Sequence, residues 1–253
     1  MPRIHHATRE IQFKVVYYGP GMSGKTTNLE QIHKKSNPAH RGKLVSLTTE
    51  SERTLFFDLL PVDLGNFRGY SVRLHLCTVP GQIALDETRR LVLRNVDGIV
   101  FVVDSQPARL DANVASLRNL EANLLLQGDD PSRMPLVVQY NKRDLSTALS
   151  HEMLQTELGI TDEVRQIEAC AVRGQGVFDT FKAITKACMA VVGDPKKMPE
   201  GRSISVLPAD KHASMFPLAA SGPADPNEVR DYAASLGLEM PKSPRLPRVD
   251  ALP

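Results

Sequence analysis

Apolar residues along this chain come in short, dense runs separated by polar, turn-rich segments. The runs "IQFKVVYY" (11–18), "RTLFFDLL" (53–60), "YSVRLHLCTV" (70–79), "GIVFVVD" (98–104), "PLVVQYN" (135–141) and "RQIEAC" (165–170) are rich in β-branched and aromatic residues, which predicts strands. Helical spacing of apolar positions fills most of the gaps, at 24–36, 85–94, 108–127, 150–158 and 176–191. Strand and helix in alternation predict an α/β domain: a mostly parallel sheet of six strands or more, with helices on both faces. Several runs are apolar almost without interruption, as strands buried on both faces require. Residues 53–79 break the alternation. Two strands joined by "PVDLGNFRG", with Gly65 and Gly69, predict a hairpin and one antiparallel strand at the sheet edge.

The pattern stops after Val192. Ten of the 18 prolines lie beyond Asp194, periodicity is lost and the charges balance, so residues 194–253 are expected to form a Pro-rich, largely disordered tail. The folded domain is then 11–193, with 1–10 as a flexible N-terminus. One island in the tail, "ADPNEVRDYAASLGLEM", predicts a short helix over 226–236: Asp225 as N-cap, Pro226 at the first helical position, Glu228 completing a capping box and Gly237 ending it. Val229, Tyr232, Ala233 and Leu236 share one face of that helix, which is too short to be stable alone in water. The tail either tethers the domain or docks this helix on it.

Composition narrows the partners. A net charge of +2 gives no polybasic ground for nucleic acid or anionic lipid. Cys77, Cys170 and Cys188 show no metal-ligand spacing and suit a reducing compartment, while the adjacent His5 and His6 read as solvated. The stretch "MPRIHHATREIQ" lacks a secretory signal, "GIVFVV" is far too short to span a bilayer, and neither Pro2 nor the terminal "DALP" fits a lipidation motif. The expectation is a cytoplasmic chain with no intrinsic membrane anchor.

Chemistry concentrates in "YYGPGMSGKTTNLEQIHKK". Gly19, four residues, then Gly24, Lys25 and Thr26 is the spacing of a phosphate-cradling loop, and it follows a strand and opens a helix as that loop must. Backbone N–H groups and the helix N-terminus face the phosphates. Lys25 would bridge the outer phosphates, Thr26 would offer its hydroxyl to Mg²⁺, and Gly21 keeps a side chain away from the terminal phosphate. Ser23 and Thr27 complete the cradle. The second motif, "NKRD", is Asn141, Lys142, Arg143 and Asp144, directly after a strand; a carboxylate there can accept two hydrogen bonds from N1–H and the 2-amino group of guanine, donors that adenine does not offer together. A third stretch, "EACAVRGQGV", stands where a backbone N–H, that of Ala171, would reach the base oxygen, with Cys170 and Val172 in place of the usual Ser and Lys.

On these residues the chain resembles Ras-superfamily small GTPases, and within them the bacterial MglA type that switches gliding motility and cell polarity. The stretches that carry the likeness are "VVYYGPGMSGKTTNLEQI", "VSLTTESERTLFFDLLP", "HLCTVPGQ", "LRNVDGIVFVVDS" and "NKRDL", from about residue 12 to 192. The resemblance implies a Ras-like P-loop G domain binding GTP/GDP with Mg²⁺. It implies that Gln82 orients the attacking water, that Thr54 senses Mg²⁺ and the γ-phosphate, and that Arg53 is an arginine finger supplied in cis. It places Gly81 in the second switch, and Thr78 where most small GTPases carry an acid that helps to hold Mg²⁺ through water. The implied partners are effectors of the GTP state and a homodimeric Roadblock-domain activating protein of the MglB type acting in trans, with recruitment to cell poles by partners. Two other readings stand beside the switch: a scaffold that holds guanine nucleotide with little turnover and works through its tail, which Thr78 in place of an acid keeps open and intact Lys25, Thr26, Gln82 and Arg53 argue against, and a P-loop kinase, which "NKRD" disfavours.

Overall fold

The computed structural model describes residues 2–47, 57–80 and 86–193. Its strands are β1 (Arg3–His5), β2 (Glu10–Tyr18), β3 (Val45–Leu47), β4 (Phe57–Phe67), β5 (Tyr70–Thr78), β6 (Gly98–Asp104), β7 (Leu136–Asn141) and β8 (Arg165–Glu168). They form one eight-stranded sheet in the order β3-β4-β5-β2-β6-β7-β8, with β1 also paired to β2. The helices are α1 (Lys25–Lys35), α2 (Asp86–Leu93), α3 (Leu110–Leu126), α4 (His151–Leu158) and α5 (Val177–Gly193). β2 pairs in parallel with β5 and β6, and β6–β7 and β7–β8 continue the parallel set; β1–β2, β3–β4 and β4–β5 are antiparallel. This is the α/β Ras-like fold with helices on both faces.

Alternation along the central strands sorts the core into two layers. Val16, Tyr18, Phe101 and Val103 pack with Leu117 and Leu120 of α3 on one face. Their neighbours Val15, Tyr17, Val100 and Val102 pack with Leu29 of α1 and Ile184 of α5 on the other. All seven residues of β6 are buried, which is why that segment reads as an unbroken apolar run.

Three details differ from the sequence reading. Residues 1–10 are not simply a flexible lead-in, because Arg3–His5 pairs antiparallel with β2, Ile4 opposite Ile11. The segment "PVDLGNF", read as a loop, is strand: β4 runs to Phe67, and the chain reverses at Arg68 and Gly69, whose φ values of 50° and 82° suit a tight two-residue hairpin turn. The register slips between Asp63 and Asn66, where Gly65 has φ 79° and its N–H donates to Asp63 Oδ1 at 2.7 Å. The antiparallel hairpin strand is not the edge either, since β3 pairs beyond it. Among the described residues no helix is long and apolar enough to cross a membrane. The expected tail and its short helix lie outside the described residues.

Candidate functional site

The phosphate loop leaves β2 at Gly19, whose φ is +142°; a Cβ there would stand 2.3 Å from the Val102 carbonyl of β6. Gly24 (φ +100°) precedes α1, and a Cβ on it would meet the Asn141 amide nitrogen at 2.2 Å, so only glycine lets the loop and the base-side strand approach this closely. No side chain caps α1 and its first turn holds no acid, which leaves its leading N–H groups available to an anion. Lys25 is buried, with Nζ donating to the Gly19 and Pro20 carbonyls at 3.0 and 2.6 Å. Burial, reinforced by the Arg89 charge and opposed by Asp58, lowers its pKa to about 7. Ser23 is fully buried and its hydroxyl has no hydrogen-bond partner among the described residues; Thr27 is half-buried.

Thr26 opens the metal side of the site. Its hydroxyl donates to Asp58 Oδ2 at 2.6 Å, and the Thr78 hydroxyl donates to the same oxygen at 2.9 Å while accepting the Asp58 N–H at 2.8 Å. Ser46 Oγ donates to the other oxygen, Oδ1, at 2.6 Å. Leu59 pairs with Cys77 across β4 and β5, so Asp58 comes to lie beside Thr78. Sequence reasoning passed over Asp58, although a lone acid in the apolar run "LFFDLL" was a signal that the strand supports something polar. Among the described residues no cluster of three or more His, Cys, Asp or Glu could hold a metal. A hydroxyl, one carboxylate and phosphate oxygens are nonetheless the hard donors that Mg²⁺ takes in nucleotide sites, so the residues present fit that ion.

The base side is built on Asn141 at the end of β7. Its Nδ2 donates to the Ser23 carbonyl of the phosphate loop at 2.7 Å, and its Oδ1 accepts the Ala171 N–H at 2.9 Å. One side chain thus ties together the two motifs and the third stretch. The Ala171 N–H, expected to face the base oxygen, is held by Asn141 instead. Lys142 has a left-handed backbone (φ 66°) and places Nζ 2.6 Å from the buried Asp104 carboxylate. Asp144 is exposed at the rim, and a hydrogen bond from the Cys170 thiol, the largest cause, holds its carboxyl below the usual range. Cys170 and Gln175 exchange backbone hydrogen bonds of 3.1 Å each, which shapes the loop around Ala171.

Arg53, Thr54, Gly81 and Gln82 lie outside the described residues. What leads up to the second switch is described: fully buried Arg89 of α2 donates through Nε to the Pro80 carbonyl at 3.0 Å, lies over the Tyr18 ring and bonds Asn119 at 2.7 Å. Arg89 too went unnoticed in the sequence, where it is one of two adjacent arginines.

The chain matches the ADP-ribosylation factor family over residues 3–188. It is 51% identical over 186 residues to the Mutual gliding-motility protein MglA of Myxococcus xanthus, a span of 74% of this chain and 95% of that protein. The ADP-ribosylation factor-related protein 1 of Bos taurus is 27% identical over 195 residues, 74% of this chain and 90% of that protein. The ADP-ribosylation factor-like protein 3 of Caenorhabditis elegans is 29% identical over 112 residues, 43% of this chain and 59% of that protein. A phosphate loop locked by one asparagine to a guanine-type base loop on this sheet order agrees with those matches: the chain belongs to the ADP-ribosylation factor family, as a small GTPase of the MglA type that binds guanine nucleotide and hydrolyses GTP.

Proposed function

We propose that this GTPase is a cell-polarity or motility switch in which Asp58, reaching across from β4, does the work of the acid that Thr78 lacks. The observation that carries the reading is the shared carboxylate oxygen: Thr26 and Thr78 both donate to Asp58 Oδ2. Mg²⁺, when bound, neutralises charge on the β- and γ-phosphates. Thr26 would hold it directly and Asp58 would orient the Thr26 hydroxyl from behind. Lys25 would lie along the outer phosphates, its charge restored by them; Thr54 would close over the γ-phosphate. Gln82 would orient the attacking water, and Arg53 would neutralise charge on the transferred phosphoryl, a role worth roughly 10³ to 10⁵ in rate for an aimed arginine. Asp144 would accept from guanine, with Lys142 along the base.

Arg53 and Gln82 stand in the segments that a partner would set, which makes slow intrinsic hydrolysis the expectation. A Roadblock-domain homodimer of the MglB type, acting in trans, is the activator we assign, with effectors bound in the GTP state and recruitment of a cytoplasmic protein to cell poles. The scaffold reading drew its support from Thr78, and Asp58 removes most of that ground. The test is single-turnover GTP hydrolysis in Mg²⁺ for wild type, Arg53→Ala and Gln82→Ala, each with and without the Roadblock partner. A slow wild-type rate that the partner raises and both substitutions abolish supports the switch. Tight GTP binding with no stimulated turnover would move the assignment to the scaffold.

A further inference from the structure

Outside the residues assigned so far, one buried acid collects cations from both halves of the site. Asp104, at the end of β6, is 0% exposed; besides Lys142 Nζ at 2.6 Å it faces Arg109 Nε at 3.8 Å. The Gln106 side chain donates to it at 3.0 Å, and its own backbone is clamped by Asn113 of α3 through bonds of 2.9 and 2.8 Å. Arg109 ends a short 3-10 turn, Pro107–Arg109, just before α3, and its Nη2 donates to the Gly21 carbonyl of the phosphate loop at 2.7 Å.

That last bond controls a peptide plane. In a trans peptide the C=O and the following N–H point in opposite directions, so fixing the Gly21 oxygen on Arg109 turns the Met22 N–H to the other side of the loop. Met22 itself has φ 63°, a left-handed conformation that costs a non-glycine residue stability unless its surroundings hold it. A phosphate loop works through the direction of such N–H groups, so a loop free to flip this peptide would lose part of its grip on the β-phosphate.

We propose that Arg109 is a positioning residue for the phosphate loop, anchored on Asp104 and thereby joined to Lys142 on the base side. This inference rests on the nucleotide-site reading above. Arg109 acts through Gly21, so its effect falls on ligands that use the loop. GDP places a β-phosphate in the cradle; GMP, with the same base, ribose and α-phosphate, does not.

The experiment is competition binding of GDP and GMP to the full chain, wild type beside Arg109→Ala and Arg109→Lys. Loss of a charged donor predicts that Arg109→Ala weakens GDP about tenfold or more and GMP by less than about threefold. Arg109→Lys keeps a charged donor only one bond shorter than the guanidinium and is expected to hold the GDP-to-GMP ratio within about threefold of wild type. If Ala weakens both ligands equally or neither, or if Lys lowers the ratio as far as Ala does, the proposal is overturned. A wild-type chain with no preference for GDP over GMP would instead sink the nucleotide-site reading itself, so the two failures are distinguishable.

Discussion

Replacing Asp58 by Asn removes one charge and almost no volume from the metal side of the site. The carboxylate accepts from Thr26, Thr78 and Ser46 at 2.6, 2.9 and 2.6 Å. A hydrogen bond to a charged group contributes about 1.5–3 kcal/mol and a neutral one about 0.5–1.5, so the two bonds on Oδ2 together lose about 2–3 kcal/mol of ordering when the charge goes. The amide can still bond the hydroxyls, which rotate to accept, and the fold is expected to survive. At about 1.4 kcal/mol per decade, the loss corresponds to a Mg²⁺ requirement raised about 30- to 150-fold. The assay is release of a fluorescent GDP analogue as a function of free Mg²⁺. The half-maximal Mg²⁺ concentration should rise by that factor, while release in excess chelator stays within about threefold of wild type. The double variant Asp58→Asn/Thr78→Asp, with its acid on β5, should recover most of the Mg²⁺ response; Thr78→Asp alone should not, because it crowds two carboxylates. An unchanged Mg²⁺ dependence in Asp58→Asn, or equal acceleration with and without the ion, would refute the reasoning.

Three further outcomes are expected. Lys25 has its pKa lowered from 10.5 to about 7, so the unfolded chain binds more protons between those values and the stability of nucleotide-free protein should rise as pH increases through that window. Bound phosphate favours the charged lysine, so GDP affinity should fall as pH rises from 7 to 8.5, by at most about tenfold per unit; titration calorimetry in buffers of differing ionisation enthalpy should report proton uptake, and a flat pH response would contradict it. Asp144→Asn should lose GDP affinity by about 100-fold or more and gain affinity for xanthosine diphosphate, since the amide donates where the carboxylate accepted; unchanged base preference in a competition assay would remove Asp144 from base recognition. Deleting residues 195–253 should leave nucleotide release and stimulated hydrolysis within about twofold if the tail is a tether; a larger change in either rate would favour docking of the 226–236 segment.

What the sequence by itself determined is whatever is written in contiguous residues. The phosphate loop was legible because its glycines, Lys25 and Thr26 lie on one strand–turn–helix unit whose chemistry depends on local spacing. The buried strands β2, β6 and β7 were legible because strands covered on both faces carry nearly unbroken apolar runs. Asn141 and Lys142 were legible as a motif, but the fact that Asn141 bonds both the Ser23 carbonyl and the Ala171 N–H depends on parallel strands bringing separate loops to one sheet end. β3 and β1 are three residues each, too short for any period to show. The role of Asp58 was invisible because Thr78 looks like a missing acid until the antiparallel register of β4 and β5 sets a carboxylate beside it, 20 positions away. Arg109 reaches Gly21 across 88 positions, over a buried Asp104 that looks, in sequence, like an ordinary strand end. Local spacing carries local chemistry; a charge delivered from a neighbouring strand or helix is decided only when the sheet register and the helix packing are.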